Sequence, residues 1–461
     1  MISQSPGELR ALSFKMTQAV DFLVRRTLKD APFKHDVYLA KIEQWSPGLG
    51  GIFVNLGDAG KAFLPTSKAQ PSLKPGALYP VTVVRSAIGD KLPRVSLDIV
   101  FASARMLLIP HKKGVHLSHR AKNRGGQTGQ LILHSFRQEG FDGLLIRENA
   151  FHAQQSMLNH EARFLTERYK AFLEEVRLTK APGPLKFSSN YLDWFIADII
   201  SQGEIQVGSD KLFQKIRSNW AQICPDLAQN IVPIAEQKAD ALIDEQLQHI
   251  LSSHVPFGTV GELVFEHTEA LTAIDVNAFA GHKKNPRHHL NVNMQAVQDI
   301  AKQVRLRNIG GPIIIDFINM PDESSRQAIE AEMQKAFAQD PAEAMILPIS
   351  KLGIMEMSRE KIGPSVAETL LTPKQERVFS FETVALSLVR SLVRQAYEYA
   401  DRHIVISSHP DFLEWLKHRP QINAMIPSDI RTRLHLKSDL KADPHNPYLM
   451  IAGIAEPYFI Y

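Results

Sequence analysis

Two short segments of this chain bring acidic residues to the ends of apolar runs. In LTAIDVN a strand period of two puts Leu271, Ala273, Asp275 and Asn277 on one face. In PIIIDFIN, Asp316 ends a run of three isoleucines. A helical stretch lies between them, so the two aspartates are expected on parallel strands of a strand–helix–strand unit, whose carboxyl ends form the usual ligand crevice. Carboxylates brought together there repel, and one stays protonated unless a cation compensates. A hard, oxygen-seeking Mg²⁺ that keeps several waters would relieve the repulsion and could activate water against a phosphodiester. The alternative left open by spacing alone is two unrelated strand-end carboxylates that cap nearby amides.

The elements that must position these residues follow from periodicity. Residues 1–35 read as two short strands, ALSFK and VDFLVRRTL. Residues 36–100 hold five short β-type runs, DVYLAKI, GIFVNL, KAFLP, LYPVTVVRSAI and PRVSLDIV, broken by glycine turns. That pattern predicts a small barrel such as the OB-fold. FASARMLLIP reads as one strand leading into a basic loop, and GFDGLLIREN as another strand. Leu158, Ala162, Leu165, Tyr169 and Leu173 recur at helical spacing, and APGP stops that helix. Residues 190–203 and 227–251 read as helices. ELVFEHTEALTAIDV is strand, turn, strand. Residues 293–307 form an amphipathic helix with Val297, Ile300, Ala301 and Val304 inward, followed by the buried-type strand IIIDFIN and the helix SSRQAIEAEMQKAFAQ. The tail from about residue 376 alternates helix and strand.

The chain has 461 residues, 44% hydrophobic and 22% charged, enough for a packed core and several domains. No run of eighteen apolar residues occurs, so no transmembrane helix is expected. The first residues lack an apolar signal core, and a cytoplasmic location is expected. Cys224 is the single cysteine, which excludes an internal disulfide and a Cys-based zinc site. Net charge is only +4, yet HKKGVHLSHRAKNRG (111–125) holds five Lys/Arg and GHKKNPRHH (281–289) three Lys/Arg and three His, neither with an acid. Such segments suit a phosphate backbone, or are simply solvated loops. Zinc on His282, His288 and His289 is disfavoured by Lys283, Lys284 and Arg287 around them.

From Glu262 to Ser365 the chain resembles the catalytic core of the ribonuclease E and G family. TEALTAIDVN (268–277), NVNMQA (291–296), IAKQVRLRNIGGPIIIDFINM (300–320) and KLGIMEMSREKIGPS (351–365) carry the likeness. It implies that Asp275 and Asp316 coordinate a catalytic Mg²⁺ and that Asn277 supports the scissile phosphate. A second aspartate frequent in the later motif is replaced by Asn319. A weaker likeness, SPGLGGIFVNLGDAGKAFLP (46–65), extends to the family's S1-type OB domain and implies RNA contact by Phe53, Phe63 and Lys91. The alternative for both phenylalanines is barrel core.

The family's 5′-monophosphate pocket is carried over less completely. Arg147 in GLLIREN matches its arginine, but Glu148 stands where a phosphate-sharing threonine is usual. Ser103 and Leu107 replace a glycine and a valine, and Glu343 an expected arginine. A weakened or lost sensor is expected, with a surface ion pair from Arg147 to Glu148 or Asp142 as the alternative. The family's CPxC zinc link is missing, so no structural zinc is expected, and an oligomer would not form through one.

The resulting expectation is an α+β multidomain protein. It comprises an RNase H-like subdomain (1–35 and 187–255), an OB-fold barrel of S1 type (36–100), a 5′-sensor-like region (101–186), a DNase I-like catalytic region (256–375) and a small α/β domain (376–461). The implied activity is Mg²⁺-dependent endonucleolytic cleavage of single-stranded RNA, leaving 5′-phosphate and 3′-hydroxyl ends. The rival is a non-catalytic RNA-binding protein that kept the fold.

Overall fold

The computed structural model describes the chain except for residues 27–30, 67–72, 90, 187–190, 280–285, 321, 339, 373–377, 399–401, 452–457 and 460–461. It folds as two compact units, residues 1–2 with 29–239 and residues 3–28 with 240–461.

The first unit contains the barrel. Its strands are Val37–Ser46, Gly51–Asn55, Lys61–Pro65, Leu78–Arg85 and Arg94–Ser96. They pair in the order Val37–Ser46, Gly51–Asn55, Lys61–Pro65, Arg94–Ser96, Leu78–Arg85, and Val37–Ser46 pairs back with Leu78–Arg85, which closes the five strands into an OB-like barrel. Alternation explains the closure. Ile52, Val54, Ala62, Leu64, Val81, Val83 and Val95 point inward and fill the interior.

Next to the barrel, within the same unit, lies a four-stranded sheet ordered Val115–Leu117, Leu144–Ile146, Met106–Leu108, Phe101–Ala102. The FASARMLLIP segment is therefore a hairpin, not the single strand its apolar content suggested. Ser103 turns the chain, its hydroxyl donating to the Met106 carbonyl at 3.1 Å. The expected basic loop also contains structure: Ser118 caps the helix His119–Arg124 by accepting from the Ala121 amide. Helices Gly126–Gln138 and Gln155–Leu178 cover the sheet. On the second of these Leu158, Ala162, Leu165 and Phe172 are buried, whereas Leu173, expected inward, is 47% exposed. A straight helix drifts off a fixed stripe over six turns, so Phe172 takes its place.

The second unit is built on a six-stranded sheet ordered His254–Phe257, Gly261–His267, Thr272–Ala278, Gly311–Asp316, Ile354–Arg359, Ala344–Ile346. Helices Pro286–Leu306 and Glu323–Phe337 supply Val292, Val297, Ile300, Val304, Ile329 and Met333 to its core face. The hairpin Glu8–Lys15/Gln18–Arg26 belongs to this unit. Buried Arg10 pairs with Asp240 and Asp244, and Arg390 of helix Phe381–Glu398 donates to Glu8 at 3.1 Å. The tail is an α/β layer, as its alternation suggested. The strand order is Leu434–Ser438, Ile404–Ser408, Tyr448–Ile451, Tyr458–Phe459, with helix Pro410–Lys417 packed against it.

Candidate active site

Thr272, Ile274 and Val276 are buried toward the helices, so Asp275 and Asn277 emerge on the opposite, exposed face of the strand. Ile313 and Ile315 do the same for Asp316. The two strands run parallel with Asp275 and Asp316 as direct register partners, at the neighbour spacing of about 4.8 Å. The aspartates therefore meet on the exposed side of the sheet, with Asp316 the last residue of its strand. Val264 stands beside Asp275 and Ile354 beside Asp316, so the pair has apolar neighbours on both sides. The Asn277 amide donates to Asp275 Oδ2 at 2.8 Å. Glu262, opposite Asn277, lies 3.4 Å from His254 Nδ1.

Partial burial, and then the Asp275 charge, raise the Asp316 carboxyl above the usual carboxylate range. Among the described residues neither carboxylate has an ion-pair partner, and no third His, Cys, Asp or Glu joins them. Two adjacent, unneutralised carboxylates fit a small hard cation that fills its remaining positions with water and substrate oxygens.

Two supporting residues escaped the sequence reading. Buried Asn293 donates to the Ile318 carbonyl at 2.8 Å and accepts from the Ile318 amide at 3.2 Å, which holds the chain leaving Asp316. Gly353 has φ +91°, and a Cβ there would stand 2.9 Å from the Phe317 carbonyl oxygen and 4.0 Å from Asp316 Oδ1. Only glycine suits that backbone and leaves the space beside Asp316 open. Both fall inside the segments that carried the resemblance, which was the available signal. His289 Nδ1 lies 3.1 Å from the Asn319 carbonyl oxygen. His282, with Lys283 and Lys284, lies outside the described residues.

On the barrel, Phe53 and Phe63 are cross-strand partners, their rings edge to face at 5.7 Å. Their neighbours Ile52, Val54, Ala62 and Leu64 fill the interior, and the two rings are half-exposed on the outside. They are not barrel core. Gly51 makes room for this arrangement, since a Cβ there would fall 2.4 Å from the Phe63 ring. Lys91 is exposed at the tip of the hairpin between the last two barrel strands, bridged to Ile88.

Arg147 follows the strand Leu144–Ile146, but its guanidinium is engaged. It forms an ion pair with Asp198 and donates to the Ala197 carbonyl at 3.4 Å, both on helix Tyr191–Ile199. The partner is neither Glu148 nor Asp142. Glu148 pairs with Arg124 at 3.2 Å, and Asp142 accepts from the Gly114 amide. Ser103 is fully buried, and Glu343 is an exposed residue of the second unit.

The model of the Ribonuclease E/G family matches residues 101–362. Ribonuclease G of Salmonella typhimurium is 26% identical over 418 residues, covering 83% of this chain and 85% of that protein. Ribonuclease G of Escherichia coli K12 is 25% identical over 419 residues, with the same shares of 83% and 85%. Ribonuclease E of a Nostoc species is 27% identical over 359 residues, covering 72% of this chain and 52% of its own length. The family match spans more than half of the sequence, and the chain belongs to the ribonuclease E/G family of endoribonucleases.

Proposed function

We propose that the chain is a magnesium-dependent endoribonuclease that cuts single-stranded RNA and leaves 5′-phosphate and 3′-hydroxyl ends. The observation that carries this reading is the in-register pair Asp275–Asp316, exposed and without an ion-pair partner among the described residues. When bound there, magnesium supplies Lewis acidity and a water of lowered pKa. Asp275 and Asp316 hold the ion. Asn277, tethered to Asp275, keeps an amide beside the pair to orient a phosphate oxygen. Val264 and Ile354 flank the two carboxylates as their apolar register partners.

The barrel supports the choice of substrate. Half-exposed Phe53 and Phe63 offer stacking faces that every base can use but that a paired duplex does not present. In this reading the barrel is the S1-type domain, the region around Arg147 a sensor remnant, and the six-stranded sheet the DNase I-like region. Processing or decay of cytoplasmic RNA, with no zinc-linked assembly, is part of the same proposal. No helix among the described residues is long and apolar enough to cross a membrane.

The substrate and product claims are tested together. A labelled single-stranded RNA and the same RNA annealed to its complement are incubated with the chain and Mg²⁺, and the fragment ends are analysed. Cleavage of the single strand alone, with ligatable 5′-phosphates, is expected. Equal cleavage of the duplex, or 2′,3′-cyclic phosphate ends, would contradict the proposal.

A further inference from the structure

The outer face of the barrel carries a row of side chains across four strands. Phe53 stands opposite Phe63, Phe63 beside Arg94, and Arg94 opposite Arg85. Register partners share a face of a sheet, so the row runs aromatic, aromatic, cation, cation over about 14 Å. The inward partners confirm the sidedness: Val83 and Val95, also paired, are buried in the barrel. An irregularity in the ladder between Val83 and Arg85 brings Arg85 opposite Arg94.

Two like charges directly opposite each other destabilise a strand pair. Arg94 is exposed and Arg85 half-exposed, and among the described residues neither guanidinium has a hydrogen-bond or ion-pair partner. An anion seated between them relieves the repulsion. Guanidinium groups bind phosphate oxygens through two parallel hydrogen bonds, and they lie here next to rings suited to stacked bases.

We propose that Arg94 and Arg85 grip the phosphate backbone of single-stranded RNA whose bases stack on Phe53 and Phe63. This pair, more than Lys91 at the hairpin tip, then sets the path of the strand over the barrel. The inference rests on the reading that the barrel binds RNA.

The test uses the full chain and a fluorescent single-stranded oligonucleotide with 2′-O-methyl riboses, which resists cleavage. Affinity is measured by anisotropy over a range of salt concentrations. Arg94→Gln and Arg85→Gln are each expected to lower affinity about fivefold near 0.1 M salt, and to reduce the slope of log affinity against log salt by about 0.7. Arg94→Lys keeps the slope and serves as the variant least able to disturb the fold. Phe53→Ala lowers affinity with the slope unchanged. Wild-type slopes in both Gln variants, with melting temperatures also unchanged, would overturn the arginine assignment while leaving the barrel reading intact. Wild-type binding by Phe53→Ala and Phe63→Ala as well would remove the barrel reading itself.

Discussion

The Arg147–Asp198 ion pair predicts how the chain treats RNA 5′ ends. A 5′-monophosphate that uses Arg147 must displace or share it with Asp198, which is closer at hand and always present. Two unit charges about 4 Å apart attract by ~4 kcal/mol at an effective dielectric near 20. Arg147 is 23% and Asp198 58% exposed, so solvent and salt reduce the net value to that of a surface pair, about 0.2–1 kcal/mol. Asp198→Asn removes the competitor without altering the shape of the helix. It should raise the preference for 5′-monophosphate over 5′-hydroxyl RNA by about two- to fivefold, the rate equivalent of that energy at its upper end. Initial rates are compared on two RNAs that differ only at the 5′ end, at sub-saturating concentration. In the wild-type chain the ratio should stay below about ten, or ~1.4 kcal/mol of transition-state preference. Arg147→Ala should bring it to unity. A wild-type ratio above ten would refute the idea that Asp198 occupies the arginine. A ratio that ignores both substitutions would show that the phosphate, if sensed, is sensed elsewhere.

Three other outcomes follow from contacts already described. Phe53→Ala and Phe63→Ala should each weaken binding of single-stranded RNA by about 1–3 kcal/mol with little change in melting temperature, because the rings lie outside the barrel core; large destabilisation would return them to the core. Asn293→Ala strips both hydrogen bonds from Ile318 and lets Asp316 shift, so kcat should fall by on the order of a hundredfold with KM little changed; an unchanged kcat would make Asn293 a purely structural residue. Asp240→Asn should cost about 3–5 kcal/mol of stability in urea at neutral pH, because Arg10 and Arg394 lose a buried partner. Burial alone would raise the Asp240 carboxyl, but Arg10, with Arg390, Ser3 and Arg394, holds it below the usual range. A depressed folded pKa contributes stability that is complete above the unfolded value, about 3.9, and fades as pH falls through the folded one. The gap between wild type and variant should therefore be flat from about pH 5 to 8 and narrow below about pH 4; a gap that widens on acidification would contradict the ion network.

What could be read from the sequence was whatever depends on local period. The alternation in LTAIDVN placed Asp275 and Asn277 on one face, and the glycine turns of residues 36–100 predicted the barrel. Long-range partners were invisible. FASARMLLIP looked like one strand because the charge inside its turn, buried Arg105, is satisfied from afar, by Glu161 at 2.7 Å. Asp198 lies 51 residues from Arg147, and no local pattern joins them. The strand–helix–strand unit implied that Asp275 and Asp316 would be near each other. Their exact register depended on tertiary pairing with each other and with Val264 and Ile354. Resemblance, rather than period, pointed to the segments that hold Asn293 and Gly353.

The central claim is that Asp275 and Asp316 hold a catalytic magnesium, and the most direct measurement is cleavage by three chains as Mg²⁺ is titrated. A short AU-rich single-stranded RNA is the substrate, and wild type is compared with Asp275→Asn and Asp316→Asn. EDTA should stop wild-type cleavage, and added Mg²⁺ should restore it. Each variant should lose at least about a thousandfold in kcat, the several kcal/mol expected when a metal ligand is removed, while binding the RNA as wild type does. Cleavage that persists in EDTA, or wild-type rates in both variants at saturating Mg²⁺, would contradict it.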